Sequence, residues 1–364
     1  MPGATVAAIR RRWSSAGTRS GSRPQQPLDS LKAPPAISVS SFSSTASVPP
    51  MSRYASRVIV SSGDEKYFPG LVVGLASVLE RLPPNFEVDI VIYDDGLSAR
   101  SRAELERLVA CSRTKSTLHL ETGFSHLGRL PVARHVNQAT YSRLLIPDLS
   151  IELERAIYFD ADMLATDDVS DLLVMELDGA TFGACVDRDT PTVETGVPYS
   201  YAALELPPDR HYFNAGLLVI DVRAWRDAGV REGTMEYVRR WKDQLRCPDQ
   251  EGINAIGGDR ALALDGRYNF QVSGEGLAAG AIGDCTHALA ELRRAAIVHF
   301  TGPKPWLNVW FGSPIWRVPA ARWWRVALGS SLISLRTRIR LASIGAAMLV
   351  RETMRLISRT WSSA

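Results

Sequence analysis

Cysteine is scarce in these 364 residues: Cys111, Cys185, Cys247 and Cys285 stand far apart and form no Cys-x-x-Cys pair. That argues for a reduced setting, and against a disulfide framework or a zinc site of paired thiols. A long apolar run is missing as well. The longest in the C-terminal part, Leu341–Val350, is interrupted by Ser343 and too short to span a bilayer. The first strand is not followed by a G-x-G-x-x-G fingerprint, which excludes the usual NAD or FAD fold. No internal repeat is visible. Acids are nearly missing from residues 1–50, where Asp29 stands alone among Ser, Pro and Arg. Those residues lack the apolar core of a secretory signal. Their composition resembles a transit peptide; it equally fits disorder, or an over-extended start ahead of Met51.

Charge is unevenly spread. Residues 1–57 carry net +7, residues 322–364 carry another +7, and the total of +3 leaves −11 for the body between them. An acidic body with basic ends argues against a nucleic-acid-binding core and for ends that meet an anionic surface. Apolar content is ample for one large domain.

The pattern predicts strands at Arg57–Ser61, Glu87–Tyr93 and Thr117–Leu120, with helices near 69–81 and 98–110 between them. This alternation defines a parallel half-sheet of the nucleotide-binding type. Residues 137–146 read as helical. Further strands are expected at Thr181–Val186, at Leu217–Val222, closing at Tyr268-Asn269-Phe270, and at Ala296-Ile297-Val298. A short helix is expected over 168–173, another carrying Trp225, a longer one over 231–245, and one opened by Asp249-Gln250-Glu251. Residues 188–210, with several Pro and Gly, read as a loop able to cover a site.

The central stretch is Arg155–Leu164, a buried-type strand opening into Asp160-Ala161-Asp162. Open α/β sheets bind ligands beyond the carboxyl ends of their strands. Two acids there, one small residue apart, suit a divalent ion shared with substrate phosphates. A polar strand end or a helix cap is the plain alternative. His299 ends another apolar run and is either a nitrogen ligand or a satisfied core histidine. Gly302 and Lys304 after it favour a ligand: glycine lets backbone approach a phosphate, and lysine supplies a point charge.

Seven blocks stand in an order that resembles glycosyltransferase family 8. They are Ala139–Leu144, Tyr158–Asp162, Gly183–Asp187, Tyr212–Ile220, Asp249-Gln250, Arg267–Phe270 and His299–Trp306. The resemblance implies a GT-A type fold, a Rossmann-like mixed sheet flanked by helices, over about 57–310. It implies a UDP-hexose donor, a saccharide or glycolipid acceptor, and transfer with retention of configuration. It assigns Asp160, Asp162 and His299 to Mn²⁺ (or Mg²⁺), and Gly302 and Lys304 to the diphosphate. Arg143, Asp187, Asn214, Ala215, Asp249 and Gln250 would surround the donor sugar, with Ala161 between the two acids. Asp64 would meet the nucleoside, and His135 would lie near donor and acceptor. Gln250, Asp187 and Asp249 are the candidates nearest the reacting carbon. No carboxylate in the set is clearly placed as a nucleophile, which favours front-face substitution. Gly302 and Lys304 stand one residue closer together than in the bacterial members. Asn214-Ala215-Gly216 also reads as a tight strand opening, Asp249 as a helix cap, and Tyr141 as packing.

Residues 311–364 form a basic tail with Trp316, Trp323 and Trp324, and one helix is expected over 326–360. Leu328, Leu332, Leu335, Ile339, Ala342, Ala346, Val350 and Ile357 make an apolar stripe flanked by arginines. Such a helix either lies on an anionic membrane or packs on the domain. The leading expectation is a metal-dependent hexosyltransferase acting in lipopolysaccharide biosynthesis. It would be a peripheral protein at the cytoplasmic face of the membrane. An Asp-X-Asp phosphohydrolase and a non-catalytic scaffold of the same fold are the alternatives.

Overall fold

A computed structural model describes residues 57–122, 127, 130–131, 138–149, 153–273, 285–307 and 314–362, with side chains to Arg351 except those of Cys285, Thr286 and Pro314. The N-terminal stretch and His135 lie outside the described residues.

The first half alternates as expected: β1 (Arg57–Gly63), α1 (Phe68–Leu79), β2 (Asp89–Asp94), α2 (Ala99–Ala110) and β3 (Leu118–Glu121). Pro at the start of α1 costs no hydrogen bond, and the Ser98 side chain accepts from Ser101 N at the start of α2. Residues Gln138–Asp148 are helical, but of the tighter 3-10 kind. β4 (Arg155–Phe159), β5 (Met163–Ala165), α3 (Ser170–Val174), β6 (Phe182–Ala184) and α4 (Val193–Gly196) come next. They are followed by β7 (Leu217–Asp221), α5 (Val222–Asp227), α6 (Val230–Trp241) and α7 (Pro248–Gly257). β8 (Ala261–Ala263), β9 (Phe270–Gln271), α8 (Cys285–Arg294), β10 (Ile297–His299), α9 (Pro314–Gly329) and α10 (Leu335–Ser362) follow among the described residues.

The large sheet has the order β3-β2-β1-β4-β7-β6-β8; β1 to β4 are parallel, and β7 runs against β4. Alternate residues feed two cores. Ile59, Ile90 and Ile92 face α1 and α2, whereas Val58, Val60, Val91 and Tyr93 face the 3-10 segment, α5 and α6. A second sheet, β5-β10-β9, was not anticipated. Its register sets His299 opposite Met163, one residue past Asp162.

Three expectations need correction. Tyr268-Asn269-Phe270 does not close a strand; Gly266–Tyr268 is a 3-10 turn, and β9 opens at Phe270. Residues 188–210 are not a bare loop. Thr192 and Thr195 form a capping box, Val193, Val197 and Ser200 are fully buried, and Ser200 Oγ lies 2.8 Å from Tyr237 Oη. The single helix over 326–360 is two helices. α9 ends at Gly329, and Ser334 Oγ accepts from Thr337 N at the start of α10. This pair enters the first core through Trp316, Trp323 and Leu341, and the link between the two helices through Ile333. Of the anticipated stripe Leu332 is buried, whereas Leu335 (66%), Ile339 (58%) and Val350 (64%) are exposed.

Candidate active site

β4 ends at Phe159, paired with Leu217 of the antiparallel β7, so the residues after β4 and those before β7 share one edge. Asp160 N donates to Gly216 O at 3.0 Å, and Met163 N closes a turn on Asp160 O at 3.1 Å. The turn swings Asp162 beneath β10, where Phe300 N donates to Asp162 O at 3.0 Å. One oxygen of Asp160, one of Asp162 and a ring nitrogen of His299 then lie within 4.8 Å of one another. His299 Nε2 is 3.1 Å from Asp162 Oδ1 and 3.8 Å from Asp160 Oδ2.

A chain of amides fixes the histidine tautomer. Asp187 Oδ2 can only accept, so Asn214 presents its amino group to it, at 3.0 Å. Asn214 Oδ1 then faces Gly216 N at 3.0 Å and Asn269 Nδ2 at 2.9 Å. That leaves Asn269 Oδ1 for His299 Nδ1, at 3.0 Å. The neutral ring therefore carries its proton on Nδ1 and turns the bare Nε2 lone pair toward two carboxylates. Three electron pairs aimed at one point are unfavourable without a cation, and the Nδ1 tie is the support that metal-bound histidines use. Asp162 Oδ1 is a buried oxygen without a hydrogen-bond partner, as an ion-facing oxygen would be. The residues present fit a divalent cation.

Positive charge braces the acids. Arg143, whose side chain is 5% exposed, lies 2.9 Å from Asp160 Oδ1 and 3.2 Å from Asp249 Oδ2. It also donates to Ala215 O and covers the Tyr158 ring at 4.3 Å. Lys304 Nζ reaches Asp162 Oδ2 at 2.6 Å, so the short Gly302–Lys304 spacing does not keep it from the site. Burial raises the Asp160 carboxyl against the pull of Arg143, and Asp162 raises it further. Burial also pushes the Asp162 carboxyl up, but the Lys304 ammonium beside it holds it well below the usual range.

The remaining expected residues line the same edge. Asp187 Oδ1 accepts from Asp189 N, Thr190 N and Thr190 Oγ1, and Oδ2 accepts from Asn214 and from Gln250 Nε2 at 3.2 Å. Gln250 Oε1 accepts from Ala215 N at 2.9 Å. Asp249 lies in the first turn of α7 and is an ion-pair partner of Arg143 rather than a cap. Asp64 follows β1 and accepts from Tyr67 N at 2.9 Å. Gly302 N is bound to Val272 O at 3.1 Å, in the turn between β10 and Lys304.

Glycine is required where helix and strand ends crowd this turn. A Cβ on Gly216 would stand 2.3 Å from His299 Cε1, and one on Gly70 of α1 would stand 2.3 Å from Ala161 O. Asn269 was missed as a functional residue, although it is 3% exposed and orients His299. Its signal was a lone amide entering an apolar strand.

A mixed sheet with cation-competent acids at its strand ends is a frame in which a divalent ion and a phosphate-bearing substrate can meet. The family model for glycosyl transferase family 8 matches residues 58–309, and the chain belongs to that family. It is a glycosyltransferase, which removes the phosphohydrolase alternative. General stress protein A of Bacillus subtilis is 26% identical over 68% of this chain and 86% of its own. Lipopolysaccharide 1,2-glucosyltransferase of Escherichia coli K12 is 25% identical over 74% of this chain and 76% of its own. The structure of galactosyltransferase LgtC with donor and acceptor sugar analogs superposes with a TM-score of 0.61. It covers 77% of this chain and 99% of its own at 24% identity, which establishes a shared GT-A fold.

Proposed function

We propose that this enzyme transfers glucose or galactose from a UDP-sugar to a saccharide of lipopolysaccharide or another cell-surface glycan, using a divalent ion and retaining configuration. The observation that carries the reading is the convergence of Asp160, Asp162 and the tautomer-fixed His299. When bound, the ion neutralises charge developing on the departing diphosphate. A nitrogen ligand among the three favours Mn²⁺ over Mg²⁺. Lys304 adds a fixed positive charge beside Asp162, and Gly302 leaves room for a phosphate to approach. The hexose and the acceptor class are supported by relatives named lipopolysaccharide 1,2-glucosyltransferase and 1,3-galactosyltransferase.

Retention by double displacement needs a free nucleophile. Asp187 has both oxygens engaged by donors, Asp249 is 4% exposed and paired with Arg143, and both ends of the Gln250 amide are held. These three residues position the donor, and the acceptor hydroxyl attacks from the leaving-group side. No helix among the described residues is long and apolar enough to cross a membrane. Attachment at the cytoplasmic membrane face is supported by the exposed apolar residues and arginines of α9 and α10.

The test follows UDP release from UDP-glucose and UDP-galactose with Mn²⁺, then reads the new linkage by NMR. Transfer with an α-linkage is expected. Release of inorganic phosphate alone, or no release with any sugar nucleotide, would refute the reading, and a β-linkage would refute retention.

A further inference from the structure

The other end of β5 carries the opposite charge problem. Past Ala165, Thr166 and Asp167 join Arg81, Arg293, Arg294, Arg322 and Arg325 around a cavity of about 320 Å³. Arg81 follows α1, Arg293 and Arg294 close α8, and Arg322 and Arg325 belong to α9, so the cluster unites body and tail. Five guanidiniums face one acid, Asp167. None of the five is held in a salt bridge among the described residues. Two are fixed in place: Arg81 Nη1 donates to Ser77 O at 2.8 Å and Arg322 Nη1 to Leu292 O at 3.3 Å. Arg293, Arg294 and Arg325 are exposed and free to close on a ligand.

Like charges gathered with too few counter-charges, here Asp167 and, beside Arg81, Glu80, raise the free energy of the fold unless an anion joins them. Planar guanidiniums match a phosphate bidentately, and the cavity has room for a phosphate with a small substituent. The source of that phosphate follows from α9. Val318, Arg322, Arg325 and Leu328 recur at three- or four-residue steps and so lie along one side of the helix. Val318 is 39% exposed and Leu328 44% exposed. Exposed apolar side chains flanking arginines are the arrangement of a helix at a lipid surface.

We infer that this arginine pocket binds the phosphate of an anionic membrane lipid; the assignment rests on the membrane-surface reading above and adds a defined headgroup site to it. Leu164 and Thr166 of the β5 stretch line the pocket, with Thr166 about 13 Å of extended chain beyond Asp162, and none of the ion-site residues lines it, so it serves as an anchor apart from the carboxylate cluster.

The full chain is tested by co-sedimentation with phosphatidylcholine vesicles doped with phosphatidic acid, and with vesicles brought to the same surface charge by oleate. The variant is Arg293→Ala/Arg294→Ala/Arg325→Ala, all exposed. Its control, Arg100→Ala/Arg223→Ala/Arg239→Ala, removes the same charge from other exposed positions. The pocket variant is expected to lose affinity for phosphatidic acid vesicles by about tenfold or more, and the control by far less. Oleate vesicles should bind wild type more weakly, and glycerol 3-phosphate should compete with phosphatidic acid. Equal losses in the two variants, or equal binding to both vesicles, would reduce the pocket to unspecific charge. Binding of inorganic phosphate without vesicle binding would make it a site for soluble phosphate and overturn the lipid assignment. UDP release in solution, without vesicles, should be unchanged in the pocket variant. Loss of that activity in wild type would count against the transferase reading instead.

Discussion

The two ends of β5 compare two ways of leaving charge unbalanced. At the Asp162 end, acids and a bare imidazole nitrogen are oriented by hydrogen bonds, with Arg143 and Lys304 built in as partial counter-charges. At the Thr166 end, five arginines share one acid, and three of them are exposed. The first is a buried site whose geometry is fixed before any ligand arrives. The second is an open site whose geometry is left to the ligand. Chemistry needs the former, because a metal ligand displaced by a fraction of an ångström is lost. Adhesion to a fluid surface tolerates the latter.

The comparison is broken most severely by removing what joins the two ends. Trp323 is fully buried, stacked on Trp306 at 5.5 Å, and Trp306 follows the Lys304 turn. Trp323→Ala should cost about 3–5 kcal/mol of stability, read from the urea midpoint. Truncation after Ala321 should prevent folding, since it also removes Ile333 and Leu341 from the core. A truncated enzyme that folds and turns over would show the tail to be a separate appendage. Next in size, Asp160→Asn and Asp162→Asn should each lower turnover by about 10²-fold or more with the fold intact. Near-normal turnover of Asp162→Asn at saturating Mn²⁺ would remove the metal assignment.

The sequence made the acidic end legible and the arginine end nearly invisible, for a physical reason. Asp160 and Asp162 sit beside their own strand, and strands β1, β2 and β4 are contiguous apolar runs whose ends local pattern reveals. The arginine pocket draws on Arg81, Arg293, Arg294, Arg322 and Arg325, which only the fold brings together. Helical periodicity in the tail marked an apolar stripe, but Leu335, Ile339 and Val350 of that stripe point outward while Leu341 packs inward. Periodicity finds a face and does not say what covers it. The break between α9 and α10 was readable in Gly329-Ser330 and in Ser334-x-x-Thr337, a stop followed by a cap. Asn269 was hidden because its partners, Asn214 and His299, are distant in sequence.

Asn269 sharpens the comparison at the ordered end. Asn269→Leu removes the acceptor that holds the proton on His299 Nδ1, freeing the ring to turn Nε2–H toward the carboxylates. Mn²⁺ affinity should fall about 10- to 100-fold, measured by titration calorimetry. Asn269→Asp keeps an acceptor for Nδ1 and should recover part of the loss. Equal affinity in all three proteins would show that the tautomer chain does not matter.

The smallest expected effect tests whether the tail reaches the site at all. Arg340 of α10 lies 2.8 Å from Glu65 in the loop after β1, with the two side chains 33% and 38% exposed. Glu65 also accepts from Ser98 N at 2.9 Å and Ser101 Oγ at 3.1 Å, and Arg340 covers the Phe68 ring at 5.4 Å. Burial is the largest single influence on the Glu65 carboxyl and raises it, but Ser98, Arg340 and Ser101 together outweigh it and hold the group below its ordinary value of 4.5. A carboxyl depressed in the folded state stabilises fully above that ordinary value, and the contribution disappears as pH falls through the depressed one. So exposed a pair is worth about 0.2–1 kcal/mol. Arg340→Ala should therefore barely change the melting temperature, and its small effect should vanish in acid. The loop it braces also holds Asp64, the residue expected to meet the nucleoside. A loosened loop weakens donor binding before it touches chemistry, so KM for the UDP-sugar should rise about twofold to fivefold with kcat unchanged. High salt should carry wild type toward the same KM, since the pair is screened. A fall in kcat at constant KM would mean that Arg340 acts on the reacting groups, and no change in either constant would mean that tail and nucleoside loop are independent.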